Sequence, residues 1–173
     1  DVTALSPSEK LGKAGIACIL QDKSIFPGMT VEENLWMGGF LKNQPAEARA
    51  AAESIFAKCP ALAARRRHQA KVLSGGERRL LEISRALVMN PELLMVDEPS
   101  IGLEPRFIDM VFEILYDLQH KEGKTIIMVE QNAKKGLEFA DIGYVMVSGK
   151  IAVAGKGSEL LENPKVGELF LGG

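Results

Sequence analysis

Very little in this sequence can hold a metal or a covalent cross-link. Along 173 residues there are two cysteines, Cys18 and Cys59, and two histidines, His68 and His120, all far apart. That excludes a disulfide framework and a zinc-type cluster, and it fits a reduced, cytosolic compartment. No apolar run approaches the ~20 residues that span a bilayer, and no signal peptide opens the chain. Charge of one sign is also missing: 21 Lys and Arg face 23 Asp and Glu, for a net charge of -2. A bulk basic field for holding nucleic acid is therefore absent. Internal repeats and low-complexity tracts are absent too. What remains is 46% hydrophobic and 25% charged residues, the composition of one ordinary globular domain. The first residue is Asp1, not Met, so the sequence reads as part of a longer product.

Periodicity then supplies the elements. The apolar run 15–20 reads as a buried strand, followed by a loop that turns at Pro27-Gly28. Thr30-Val31-Glu32-Glu33 is a capping box that opens a helix to about Leu41. The Ala-rich stretch 45–58 is a second helix with Pro45 in its first turn, broken at Cys59-Pro60. A short helical piece and the basic run 65–67 lead to Leu73. Thereafter helices (75–89, 105–120, 132–139) alternate with strands (93–96, 125–129), and 142–147 with 150–154 forms a hairpin at Ser148-Gly149. Short helices over 158–162 and 164–170 close the chain. Alternation of this kind predicts an α/β fold with a parallel sheet, and 29–72 is then a helical insertion.

Two segments carry chemistry. Ser74-Gly75-Gly76-Glu77 heads an amphipathic helix. A capping box alone accounts for Ser74 and Glu77, but it needs no glycines, each of which costs a helix about 1 kcal/mol relative to Ala. Two of them make sense where bare N–H groups meet an anion at a helix N-terminus. Next, the apolar residues Leu93 to Val96 deliver Asp97 and Glu98 to the carboxyl end of a buried strand, where ligands bind in open α/β sheets. An Asp there can hold Mg²⁺ and a Glu can polarise a water, although a strand simply ending in solvated acids looks the same.

The order of these segments resembles the ATP-binding cassette (ABC) ATPases over essentially the whole chain. Leu73-Ser74-Gly75-Gly76-Glu77 resembles their signature motif, Leu93 to Glu98 their Walker B strand, and Ser100 to Pro105, with Gly102 and Glu104, their D-loop. Gln21 stands where the Q-loop glutamine belongs. The stretch from Ile25 (IFPGMTVEENLWMG), the ARRR run, VEQNA from Val129 and the terminal LGG are similar to the ATP-binding subunits of branched-chain amino acid importers. The resemblance implies a P-loop NTPase-like sheet lacking its P-loop strand, with 22–72 as a helical subdomain. Residues 73–173 would hold the signature helix, Walker B, D-loop, switch and C-terminal elements.

It also implies roles. Glu98 would be the general base for water attacking the γ-phosphate of ATP, and Asp97 would act on Mg²⁺. Gln21 would sense both and couple them to the helical segment. Ser74, Gly75 and Gly76 would contact ATP held by a second ATP-binding subunit in a homo- or heterodimer. The partners implied are transmembrane permease subunits and, indirectly, a periplasmic or extracellular solute-binding protein, with no nucleic acid. The place would be the cytoplasmic face of the plasma (inner) membrane, peripherally attached, and the activity ATP hydrolysis coupled to import. Other ABC systems (urea, other amino acids, lipid-linked export) and a P-loop-less interaction module remain alternatives. An ABC ATPase of DNA repair would need a long coiled coil, for which 29–72 is too short and too broken.

Three departures from the family pattern stand out. No Walker A is present: Gly123-Lys124-Thr125 has Leu118 where the first Gly belongs and precedes a strand, and Gly149 with Gly155-Lys156 is mis-spaced and ends in Gly157. The chain alone should therefore be inactive. The switch position holds Gln131, which can hydrogen-bond a phosphate but carries no proton. The usual Asp of the D-loop is Glu104. Among the remaining residues, Cys18 reads as a small core residue and Trp36 and Phe40 as one packed helix face. The two histidines and the arginine run read as solvated surface, and Ile25, Phe26, Met29 and Trp36 as partly exposed docking candidates.

Overall fold

The computed structural model describes residues 1–21 and 24–171. The start of segment 22–72 and the glycines of the LGG ending lie outside the described residues. The chain forms two compact units, Asp1–Ile127 and Met128–Gly173. The first holds α1 (Pro7–Gly12), β1 (Ile16–Ile19), α2 (Val31–Gly38), α3 (Pro45–Lys58), α4 (Pro60–Ala64), α5 (Gly75–Leu87), β2 (Leu93–Asp97) and α6 (Pro105–His120), and β3 (Thr125–Val129) begins in it. The second holds α7 (Ala133–Phe139), the hairpin β4 (Ile142–Val147) and β5 (Lys150–Lys156), α8 (Gly157–Leu161) and the short turn α9 (Pro164–Val166).

Local chemistry explains the boundaries. Capping boxes start α1 (Ser6, Glu9), α2 (Thr30, Glu33) and α5 (Ser74, Glu77), and proline occupies the first turn of α3, α4 and α6. Helix α1 has no apolar stripe; its only readable signal is Ser6-Pro7 followed by Glu9. Helix α2 ends at Gly38 rather than near Leu41. Side chains at Gly38 and Gly39 would collide with the Arg85 backbone and with Ala48, so this pair lets α2 end in close contact with α5 and α3. Phe40 thus leaves the helix and is exposed, while Trp36 packs on the core beneath the Arg49 guanidinium; the two share no face.

Strand β1 pairs in parallel with β2 from Ile16↔Leu93 to Ile19↔Val96, and β3 lies on the other side of β2. Helix α5 is the wall between two cores. Its Leu80 and Leu81, with Leu73 and Val88, close a helical core around Val31, Leu35, Phe56 and Leu62. It also packs on β1 and α6. The hairpin pairs antiparallel with a bulge between Val145 and Met146. Leu137, Val145, Leu160 and Val166 form the core of the second unit. Among the described residues no helix is long and apolar enough to cross a membrane.

Two further sequence readings need correction. In the arginine run Arg65 and Arg67 are exposed, as read, but Arg66 is half-buried and paired. Arg66 Nε donates to Glu32 at 2.7 Å and Nη1 to Glu53 at 3.0 Å, its guanidinium lies over Phe56, and Arg65 meets Glu77 at 3.3 Å. These arginines tie the loop before α5 to α2, α3 and the α5 cap. Cys18 is not a core residue. Alternate residues of β1 and β2 point to an uncovered face, so Ala17, Ile19, Leu94 and Val96 are buried while Cys18, Leu20, Met95 and, on β3, Ile127 are exposed.

An apolar face of this kind promotes association. Light scattering should show the chain self-associating. Met95→Lys, in the middle of that face, should reduce association while changing stability by no more than about 0.5 kcal/mol. A monodisperse, cooperatively melting wild-type monomer would contradict this.

Candidate functional site

The parallel register makes β1 and β2 end together. Gln21 lies two residues beyond Ile19 and Glu98 two residues beyond Val96, its paired partner, so the amide and the carboxylates Asp97 and Glu98 emerge at one edge of the sheet. Gln21 and Asp97 are exposed and Glu98 is half-buried. Glu98 has φ 42°, a left-handed conformation that a non-glycine residue rarely adopts and that costs of order 1–3 kcal/mol. Exposed carboxylate and amide oxygens are the hard donors that Mg²⁺ takes, so Asp97 and Gln21 fit that ion.

Ser74 is the N-cap of α5. Its hydroxyl accepts from the Glu77 N–H at 3.3 Å, and Glu77 in return accepts from the Ser74 N–H at 2.9 Å. The two glycines behind it have different reasons. A methyl at Gly75 would meet only Leu103, at ordinary contact distance, so this exposed backbone is open to an anion at the helix N-terminus. A methyl at Gly76 would overlap the Phe107 ring of α6. Gly76 is therefore demanded by helix packing, a reason the sequence reading did not contain. Leu73 is buried in the helical core.

Residues 98–104 run between β2 and α6. Ser100 is buried, Gly102 takes φ 69°, and Glu104 caps α6 without a side-chain cap bond while pairing with Arg106 at 3.2 Å. Through Leu103 and Phe107 this segment lies against the start of α5. Gln131 is exposed in the second unit, before α7. Gly123-Lys124 is the turn from α6 to β3, with the buried Lys124 amine donating to Asn90 at 2.9 Å, so that lysine is committed elsewhere than to a phosphate.

Three residues of this region escaped sequence reasoning. Phe107 holds Gly76. Asn34, fully buried, ties the loop after Gln21 by accepting from the Phe26 N–H at 2.7 Å and donating to the carbonyls of Phe26 and Thr30 at 2.9 Å each. Arg79, also buried, donates to the carbonyls of Leu20 and Asp97. A lone cation among the apolar positions of α5 and a lone amide in the first turn of α2 were the available signals. Of the docking candidates, Phe26 is exposed and stacked under Arg85, Met29 is half-buried, and Ile25 and Trp36 pack partly on the helical core.

The carboxylates of Glu33 and Glu77 sit below their ordinary 4.5, first because each accepts a backbone hydrogen bond from its own N-cap residue. Their contribution to stability is complete above the unfolded value and is lost as pH falls through the lower folded values. Acid titration of a double Glu33→Gln, Glu77→Gln variant should therefore show a shallower loss of stability below about pH 4.5 than wild type. Parallel acid limbs would discount the caps. For the glycines, Gly76→Ala should destabilise by ~1–3 kcal/mol through overpacking against Phe107. Gly75→Ala should leave stability unchanged or raise it by up to about 1 kcal/mol. Equal losses in urea unfolding would refute the distinction.

Residues 2–101 match the model of the ABC transporter family. The chain is 41% identical over 167 residues to the high-affinity branched-chain amino acid transport ATP-binding protein BraG of Pseudomonas aeruginosa, covering 96% of this chain and 71% of that protein. It is 36% identical to a probable branched-chain amino acid transport ATP-binding protein LivF of Archaeoglobus fulgidus, over 99% of this chain and 72% of that one. The crystal structure of the ADP conformation of an ATP-binding cassette of an ABC transporter superposes with a TM-score of 0.80 at 29% identity, covering 100% of this chain and 74% of the other.

Proposed function

Since this chain belongs to the ABC transporter family of ATP-binding subunits, whose members hydrolyse ATP, we propose that it serves an importer of branched-chain or related amino acids. The printed names of its relatives support the solute class. The observation that carries the catalytic reading is the common end of β1 and β2, which brings Gln21 level with Asp97 and Glu98.

In this reading Glu98, half-buried and held in a strained backbone conformation, takes the proton of the attacking water. Asp97 and Gln21 offer oxygens to Mg²⁺, which when bound neutralises charge on the phosphate oxygens. The N-terminus of α5 at Ser74, Gly75 and Gly76 offers its polar groups to the γ-phosphate of ATP on a second ATP-binding subunit, and Gly76 also packs that terminus against α6. Ser100, Gly102 and Glu104 line the subunit contact, and Gln131 hydrogen-bonds the phosphate without carrying a proton. Residues 22–72 form the helical subdomain that docks a transmembrane permease, with Phe26 the exposed apolar candidate, and 73–173 carry the remaining motifs. The subunit acts peripherally at the cytoplasmic membrane face, with a solute-binding protein reached only through the permease.

The test restores a phosphate cradle. The chain by itself should show no measurable ATPase activity. Joined to an N-terminal strand–GxxxxGK[ST]–helix segment it should turn over ATP, and Glu98→Gln should then cut turnover by at least ~10²-fold while leaving ATP binding intact. Turnover that survives the substitution would show that another group is the base.

A further inference from the structure

Arg79 is 5% exposed, on the signature helix α5, one turn beyond Gly76. Its Nη1 donates to the Leu20 carbonyl at 2.8 Å and to Glu82 at 2.9 Å, and its Nη2 donates to the Asp97 carbonyl at 3.0 Å. Its Nε has no partner, so the bonds it makes beyond its own helix go to the ends of two strands. The Leu20 carbonyl shares one planar peptide with the N–H of Gln21, and the Asp97 carbonyl shares one with the N–H of Glu98. Fixing each oxygen therefore fixes the plane from which the next residue departs. One of those residues, Glu98, has φ 42°, and such a conformation persists only where surrounding contacts over-determine it.

We propose that Arg79 is a positioning residue, a clamp that holds the peptide planes leading into Gln21 and Glu98 and keeps the two side chains in register. Guanidinium suits the task. It is planar, its two terminal nitrogens diverge to separate acceptors, and it stays charged when buried. The buried Glu82 carboxylate, 2.9 Å away, balances that charge within the same helix. Helix α5 thus carries at its first turn the groups offered to the neighbouring subunit's nucleotide. One turn later it carries the group that sets the base of its own subunit. The clamp itself rests on geometry alone; its catalytic meaning rests on the roles proposed above for Gln21 and Glu98.

Backbone ¹⁵N relaxation of the chain tests the clamp. Removing one member of a buried pair destabilises strongly, so the main variant is the double Arg79→Gln, Glu82→Gln. Wild-type order parameters at Gln21 and Glu98 should be near the rigid level of about 0.85, and in the double variant both should fall below about 0.6 while Ala17 and Ile83 stay rigid. Arg79→Lys alone, which keeps the charge and can reach a carbonyl, should restore order at one or both positions. Three results would overturn the proposal: mobile Gln21 and Glu98 in wild type, unchanged order in the double variant, or a loss spread over the whole chain, including failure to fold. The last would mean that Arg79 serves the core in general. Turnover of the P-loop-bearing Glu98→Gln variant answers the separate question of the base, so the two ideas fail independently.

Discussion

The parallel pairing of β1 with β2 is the constraint from which the rest of this molecule follows. Because Ile19 stands opposite Val96, the two strands finish at nearly one level, and Gln21, Asp97 and Glu98 follow at the same end of the sheet. A slip of one residue would turn every side chain of a strand to the other face. A slip of β1 would bury Cys18, expose Ala17 and Ile19, and move Gln21 away from Glu98. Burial of Ala17, Ile19, Leu94 and Val96 makes that slip expensive, at roughly 1.5–3 kcal/mol for each large aliphatic side chain.

Helix α5 converts that register into an organised site. One side of it completes the helical core with Leu80 and Leu81, and another rests on the sheet. Between them Arg79 reaches the strand ends, and at its start Gly76 admits Phe107. The loop that follows Gln21 is tied separately, by Asn34 from the first turn of α2. Both anchors are buried polar groups bonded to backbone, the kind of contact that is costly to leave half made. Arg65 and Arg66 extend the same logic outward, linking α2, α3 and the α5 cap through carboxylates.

The uncovered face of the sheet is the counterpart of this organisation. Met95 and Leu20 are apolar and exposed, while Ile19 and Val96, which point to the opposite face, are buried. The relatives are longer than this chain, which spans about seven tenths of them. The ordered motifs and the open apolar face therefore occur together in one fold, each set by which residues alternate along β1 and β2.

The sequence by itself determined the elements and their chemistry. Periodicity marked α3, α6 and β3 to the residue, capping boxes marked the starts of α2 and α5, and motif order carried the family. These are local properties, set by i to i+4 spacing and by the two faces of a strand. Tertiary structure alone decided what each marked residue touches. Cys18 looked like core because a short apolar strand reads the same whether one face or both are covered. Arg66 looked solvated because its acidic partners lie thirteen or more residues away. The packing demand on Gly76 was hidden because Phe107, which requires it, stands on another helix. For Arg79 the sequence showed a cation among apolar positions but not its partners: a guanidinium that bonds to backbone carbonyls recognises a place in the fold, and backbone carbonyls have no letter in the sequence.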